Sequence, residues 1–273
     1  MRRQRIEQPI DPNTNSVLTM MLERQRRRFA GARGEVPEVL PFGPSVLAGG
    51  PAYRGQVSVA HACTLMALVR AAADDRAEAG SHYVTSSTLT GNRIKFLAYA
   101  LESSADVAIS VDSDCSVGEH NGIPGGEILL GLAQRCADLD GPVGVLFSIG
   151  DTGVLNAVSL TDAPMLPSER PQPYRLTRCA RVATAIIIYP LAWYRRVYAD
   201  AVAPPWSYVF VPIEEARPIR QQWAQLLSKP QASIQVGEDY SHCDSVRAAG
   251  GTVRCVYLPS ARHEAYAPAT ARR

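Results

Sequence analysis

The sequence has no Cys-x-x-Cys pair. Its six cysteines, at 63, 115, 136, 179, 243 and 255, stand apart, and none has zinc-site spacing to a histidine. That pattern excludes the common closed zinc sites and a thioredoxin-like redox motif. Several cysteines lie inside apolar runs, where a free thiol packs as a small hydrophobe, and the set predicts a reducing, cytoplasmic compartment. Long apolar runs are missing too. The longest, ATAIIIYPLAWY at 183–194, is short and broken by Pro190, so no membrane-spanning segment is expected. The N-terminal arginines are not followed by an apolar stretch, which predicts no secretory signal. Neither an internal repeat nor a low-complexity block is visible. The net charge of +2 is too small for the whole-protein field to announce a polyanion partner.

What is present begins with an uneven charge. Residues 1–33 carry eight arginines against Glu7, Asp11 and Glu23. Residues 1–40 therefore read as a basic arm, either a solvated tail or a surface for nucleic acid or anionic lipid. Within it, 14–29 suits one amphipathic helix with a basic end. Residues 41–268 read as one domain and 269–273 as a tail. At 46% hydrophobic residues the domain can bury a sizeable core.

From 45 to 150 the pattern alternates. SVLAG (45–49) predicts a strand ending at Gly49-Gly50-Pro51, and residues 56–74 a helix of strong helix formers. SHYVTSST (81–88) predicts a strand, and NRIKFLAYALESS (92–104) a helix with Ile94, Leu97, Ala98 and Leu101 at helical spacing. DVAISVDSD (106–114) predicts a strand, 125–140 a helix and 141–150 a strand. This alternation implies a mostly parallel sheet covered by helices, with ligands bound beyond the carboxyl ends of its strands.

The second half is less regular. Strands are expected at 155–160, 180–189 and 252–259, and Pro204, Pro205 and Pro212 mark loops around SYVFV (207–211). Helices are expected at 190–201, opened by Pro190, and within 214–229. A further helix is expected at 237–251, with acids at its start and Gly250 as its cap. Residues 161–180 and 260–268 read as loops. Trp193, Tyr194, Trp206, Tyr208 and Trp223 read first as packing residues and only second as base-stacking platforms.

Three places carry candidate chemistry. Asp112 and Asp114 follow a β-like apolar run. On a strand, side chains two apart share a face, and two carboxylates together repel unless a cation joins them. They either hold Mg²⁺ or Mn²⁺ for phosphate chemistry or serve a turn. A second such pair, Asp138 and Asp140, ends a helix before Gly141 and reads as turn chemistry. Glu238 and Asp239 adjoin a helix start, where they either complement the helix dipole or supply a general base. His263 is a loop residue that becomes a metal ligand only if carboxylates lie near it.

In this order, GNRIKFLAYALESSADVAISVDSD, then GEDYSHCDSVRAAGGTVRCVYLP, then RHEAY, the chain resembles the GT-A nucleotide-sugar glycosyltransferases. It is most similar to the family-2-like members found in bacteriophages. The resemblance covers about residues 45–268, and the block at 237–251 is its most specific part. It implies a GT-A-like, Rossmann-like α/β fold and a Mn²⁺- or Mg²⁺-dependent transfer from a UDP-sugar. Asp112, Asp114 and His263 would hold the cation. Asp239, with Glu238 beside it, would be the base of an inverting reaction. Pro51 and Ala52 would lie at the nucleotide base, and Asn92 and Arg93 near the ribose or diphosphate, with Asp112 also on the donor. Where family members carry a glycine-containing segment, this chain has Thr184-Ala185.

The acceptor expected from the phage likeness and the basic arm is a hydroxymethylated base in DNA. Three other readings stay open: the same chemistry on a saccharide or protein, a non-catalytic nucleotide-sugar or nucleic-acid binding protein, and a metal-dependent nuclease or phosphatase. The last wants a denser set of acids around residue 112 than the sequence offers.

Overall fold

The computed structural model describes residues 44–52, 55–74, 78–85, 89–148, 154–198 and 238–263. The basic arm, the C-terminal tail, the segment 207–211, the helix expected within 214–229, and Trp206, Tyr208 and Trp223 lie outside them. The first half runs β1 (Val46–Pro51), α1 (Val59–Asp74), β2 (Ala79–Val84), α2 (Leu89–Glu102), β3 (Val107–Val111), β4 (Cys115–Val117), α3 (Gly125–Cys136) and β5 (Val143–Val145). This is the expected alternation with the short β4 added. The second half runs β6 (Ala157–Val158), β7 (Leu176–Arg178), β8 (Arg181–Val182), β9 (Ile186–Pro190), α4 (Leu191–Tyr198), α5 (Glu238–Ala248), β10 (Arg254–Val256) and β11 (Ala261–His263).

Seven strands form one sheet in the order β2-β1-β3-β9-β5-β10-β7. β1 lies parallel to β2 and β3, and β5 parallel to β10. β9 enters antiparallel between β3 and β5, and β7 closes one edge antiparallel to β10. The fold is a mixed α/β, Rossmann-like sheet, mostly parallel as expected. Alternation along β3 sorts the core into two layers. Val107, Ile109 and Val111 face Leu65 and Leu68 of α1 and Ile128 and Leu132 of α3. Ala108 faces Phe96 and Leu97 of α2, Tyr194 of α4 and Val246 of α5. β9 is buried along its whole length, which explains its unbroken apolar sequence.

Three expectations are corrected. The single strand expected over 180–189 is two, because the chain leaves the β6–β8 ribbon after Val182 and joins the main sheet only at Ile186. The loop expected over 161–180 contains β7, which pairs with β10. The loop expected over 260–268 begins with β11, which pairs antiparallel with β4, placing His263 opposite Cys115. Two- and three-residue strands carry too few positions for a period to show in sequence.

Two glycines set close approaches. A Cβ at Gly49 would collide with the His82 carbonyl, and one at Gly126 with the backbone of α1 at Thr64 and Leu68. The first lets β2 close on β1; the second lets α3 cross α1 at backbone contact.

Candidate functional site

The carboxyl ends of β1 and β3 lie side by side, and the Asp112–Asp114 segment turns away from β3 there. β3 ends at Val111, Asp112 donates its amide to the Ala185 carbonyl, and Cys115 donates back to the Asp112 carbonyl. The two aspartates are thus on a turn rather than a strand, and their carboxylates have different partners. Asp112 pairs with Arg93 on α2 at 2.7 Å. Asp114 approaches His263 on β11 at 3.5 Å.

Around Asp112 the chain builds a carboxylate clamp. Arg93, only 3% exposed, gives one terminal nitrogen to Asp112 and the other to Asp239 at the start of α5. Thr184 donates its hydroxyl to the same Asp239 oxygen at 2.7 Å. Burial pushes the Asp112 carboxyl up to about 7. The Arg93 guanidinium opposes that rise, and the Asp239 and Asp114 carboxylates add to it. The other Asp112 oxygen, Oδ1, is buried without a hydrogen-bond partner among the described residues, as are Asn92 Oδ1 and Ser110 Oγ. An unpaired buried acceptor costs on the order of 1–3 kcal/mol, which a bound donor recovers. Beneath Asp239, His242 is fully buried, 2.8 Å from the Tyr194 hydroxyl, and burial holds its imidazole down at about 3.

Around Asp114 a second group forms. Single ligand atoms of Asp114, Cys115 and His263 all lie within 4.8 Å of one another. Asp114 and Cys115 come from the turn and β4, and His263 from the strand paired with β4. Burial, and then the nearby Asp112 and Asp114 carboxylates, push the Cys115 thiol far above its ordinary range. His263 is half exposed, so this group faces solvent on one side.

The turn is pinned from behind by α1. Ser58 caps the helix, its hydroxyl accepting the His61 amide, while its own amide donates to the Ser113 carbonyl. His61 is wholly buried, and its Nδ1 lies 3.0 Å from the Asp112 carbonyl and 3.1 Å from the Cys115 carbonyl. Both neighbours only accept, so Nδ1 carries the proton. Nε2 then accepts from the Tyr83 hydroxyl at 3.0 Å. One turn on, Thr64 Oγ1 accepts the Val117 amide.

The structure therefore brings Arg93, Asp112 and Asp239 together, and Asp114 together with His263. Pro51 and Ala52 are both buried at the end of β1, where Pro51 pairs with Val84. Asn92 is buried beside Arg93 in α2. Glu238 opens α5. Sequence reasoning missed His61, Thr184 and Cys115. The available signal for His61 was a polar residue on the buried face of a helix, one turn before Leu65 and two before Leu68. Trp193 and Tyr194 are buried packing residues, in edge-to-face contact at 5.0 Å.

No protein-family model and no curated protein matches the chain. Among solved structures it is similar to a protein from STIV, at 10% identity over 78% of this chain and 82% of that one, with a TM-score of 0.43. It is also similar to a 4-diphosphocytidyl-2C-methyl-D-erythritol synthase from Anaerococcus prevotii, at 10% identity over 79% and 90%, with a TM-score of 0.35. A mannosyltransferase from Pyrobaculum calidifontis, solved with GDP-mannose and Mn²⁺, matches at 14% identity over 87% and 83%, with a TM-score of 0.28. At these scores the fold assignment rests on the sheet topology itself.

Proposed function

We propose that this chain is a metal-dependent glycosyltransferase that moves a sugar from a nucleotide-sugar donor, a UDP-sugar in the first instance, to a hydroxyl acceptor. The observation that carries the reading is the pairing of two sites across one turn. The Arg93–Asp112–Asp239 clamp stands on one side, and the Asp114–Cys115–His263 group on the other. Transfer from a nucleotide sugar needs both kinds of chemistry. Negative charge builds on the departing diphosphate, and a proton leaves the attacking hydroxyl.

The donor set at Asp114 and His263, a carboxylate and an imidazole with one side open to solvent, fits a divalent cation. Such a cation, when bound, neutralises charge on the leaving diphosphate. Asp239 takes the proton of the acceptor hydroxyl, on the face of the sugar opposite the leaving group, which gives inversion. Arg93 and Thr184 both donate to one Asp239 oxygen and so fix the direction of its carboxylate. Asp112 contributes its buried Oδ1, without a partner among the described residues, as an acceptor for a donor on the nucleotide. Pro51 and Ala52 border the base side, Asn92 backs the ribose side, and Glu238 adjoins Asp239.

The acceptor named by the sequence, a hydroxymethylated base in phage DNA, draws on the arginines of residues 1–33, which lie outside the described residues. It is therefore the first acceptor to test, with saccharides and proteins next. The experiment measures nucleoside diphosphate release from a panel of nucleotide sugars with Mn²⁺ or Mg²⁺, with and without DNA carrying 5-hydroxymethyl pyrimidines. Release that needs the cation and disappears in Asp114→Asn and Asp239→Asn supports the reading. Binding without turnover, unchanged by Asp239→Asn, supports a non-catalytic nucleotide-sugar binding protein instead.

A further inference from the structure

We propose that the cation centre is a carboxylate–thiolate–imidazole site, with Cys115 as a ligand in place of Asp112, built for a borderline divalent cation such as Zn²⁺ or Co²⁺. This rests on the metal-dependent reading above and changes which atoms hold the metal and which metal they hold.

The geometry points there in three steps. First, Asp112 is withdrawn. One of its oxygens is committed to Arg93 at 2.7 Å, and it is not part of the cluster in which Asp114, Cys115 and His263 meet. Second, Cys115 is in place. It is the register partner of His263 across the β4–β11 ribbon, and directly opposed residues in an antiparallel pair project their side chains to the same face. The β4 register is itself held by Thr64, which binds Val117, and by His61, which binds the Cys115 carbonyl.

Third, the separations approach coordination range. Asp114 offers Oδ1 at 3.7 Å from Cys115 Sγ and Oδ2 at 3.5 Å from His263 Nε2, and one ligand atom from each of the three residues lies within 4.8 Å of the other two. Zinc bonds of about 2.3 Å to sulfur and about 2.1 Å to oxygen and nitrogen, at tetrahedral angles, need ligand edges of about 3.6 and about 3.4 Å, so the three atoms close in by at most about 1 Å around a bound ion.

Charge closes the case. A carboxylate and a thiolate offset a divalent cation, as two carboxylates would, so the charge lost when Asp112 turns to Arg93 is restored by sulfur. The thiol gives its proton to solvent as it ligates. Thiolate moves the preference away from Mg²⁺ and Mn²⁺, which favour oxygen, toward Zn²⁺ and Co²⁺. Three protein ligands leave a fourth position, as catalytic zinc sites do, and His263 lies at the exposed edge where a diphosphate oxygen would reach it.

Titration of the full chain with Co²⁺ alone tests this, because a thiolate bound to cobalt gives a sulfur-to-metal charge-transfer band in the near ultraviolet and oxygen and nitrogen ligands do not. The expected result is a one-to-one band that Zn²⁺ removes by displacement and excess Mg²⁺ does not. The band is expected to survive Cys63→Ser, which removes the exposed cysteine among the described residues. It is expected to vanish in Cys115→Ser. His263→Gln, at a surface position that leaves the core intact, is expected to weaken Co²⁺ binding at least about tenfold. Tight Co²⁺ binding with no charge-transfer band, or a band that persists in Cys115→Ser, overturns the thiolate site and leaves the glycosyltransferase reading standing. Failure of Co²⁺, Zn²⁺ and Mn²⁺ alike to bind overturns this proposal and the metal dependence together.

Discussion

Arg93 joins Asp112 and Asp239 through the two ends of one guanidinium, linking the end of β3 to the start of α5. The three side chains are 3%, 15% and 22% exposed, so their charges are largely out of water. Removing the cation from such a set leaves two largely buried carboxyl groups, which must either stay charged without it or take up a proton. Arg93→Met is expected to destabilise the protein by about 3–5 kcal/mol, the usual cost of breaking a buried pair from one side. Adding Asp112→Asn to Arg93→Met should recover part of that loss, since it removes one of those two groups. Urea unfolding of the two single variants and the double variant checks this. Strictly additive losses would mean that Arg93 and Asp112 do not act on each other.

His61 is expected to act as a positioning residue for the Asp112–Asp114 turn. His61→Phe removes the proton donated to the Asp112 and Cys115 carbonyls. Cation affinity should then fall about 10–100-fold, as when partners behind a metal ligand are lost. His61→Gln keeps an N–H donor and should retain most of the affinity. Tyr83→Phe touches only the far nitrogen and should have a smaller effect. Metal titration read against folding by circular dichroism separates positioning from general destabilisation, because only positioning is rescued by glutamine.

The strand–helix alternation, the polar turn after β3, and α5 with its cap were all legible in the sequence, because each is set by local pattern. Gly250 is an example. It sits at φ 79°, with its amide bonded to the Arg247 carbonyl and the next amide to the Val246 carbonyl. That is the helix ending its sequence position implies. The clamp was half legible. Asp112, Asp239 and Arg93 were singled out individually, but their meeting depends on how α2 and α5 pack on one face of the sheet. Thr184 stood in view as a departure from the family pattern, and only the break between β8 and β9 makes it a partner of Asp239. Cys115, between Asp114 and Ser116, counts in the sequence as one of the free thiols, and nothing there singles it out. Its meeting with His263 comes from β11, a strand too short to read.

His242 makes acid stability informative. Its imidazole is fully buried and titrates at about 3 in the folded protein, against 6.5 as its ordinary value. A histidine held below its ordinary value contributes stability above that value and loses it as pH falls. The loss should therefore run from about pH 6.5 down toward about pH 3. His242→Gln keeps a partner for the Tyr194 hydroxyl without a titrating ring, and should flatten this acid limb. Unfolding free energies measured across that range check it. Identical pH slopes in the two proteins would show that His242 contributes none of the acid sensitivity.

The most direct measurement of the central claim is equilibrium binding of UDP and GDP to the full chain, with and without a divalent cation. It compares the unmodified protein with Asp114→Asn and His263→Gln. Binding that tightens at least about tenfold with the cation, and loses that gain in both variants, is the expected result. Nucleotide binding indifferent to the cation, or no binding in any arm, would contradict the account and return Asp112 and Asp114 to the role of a polar turn.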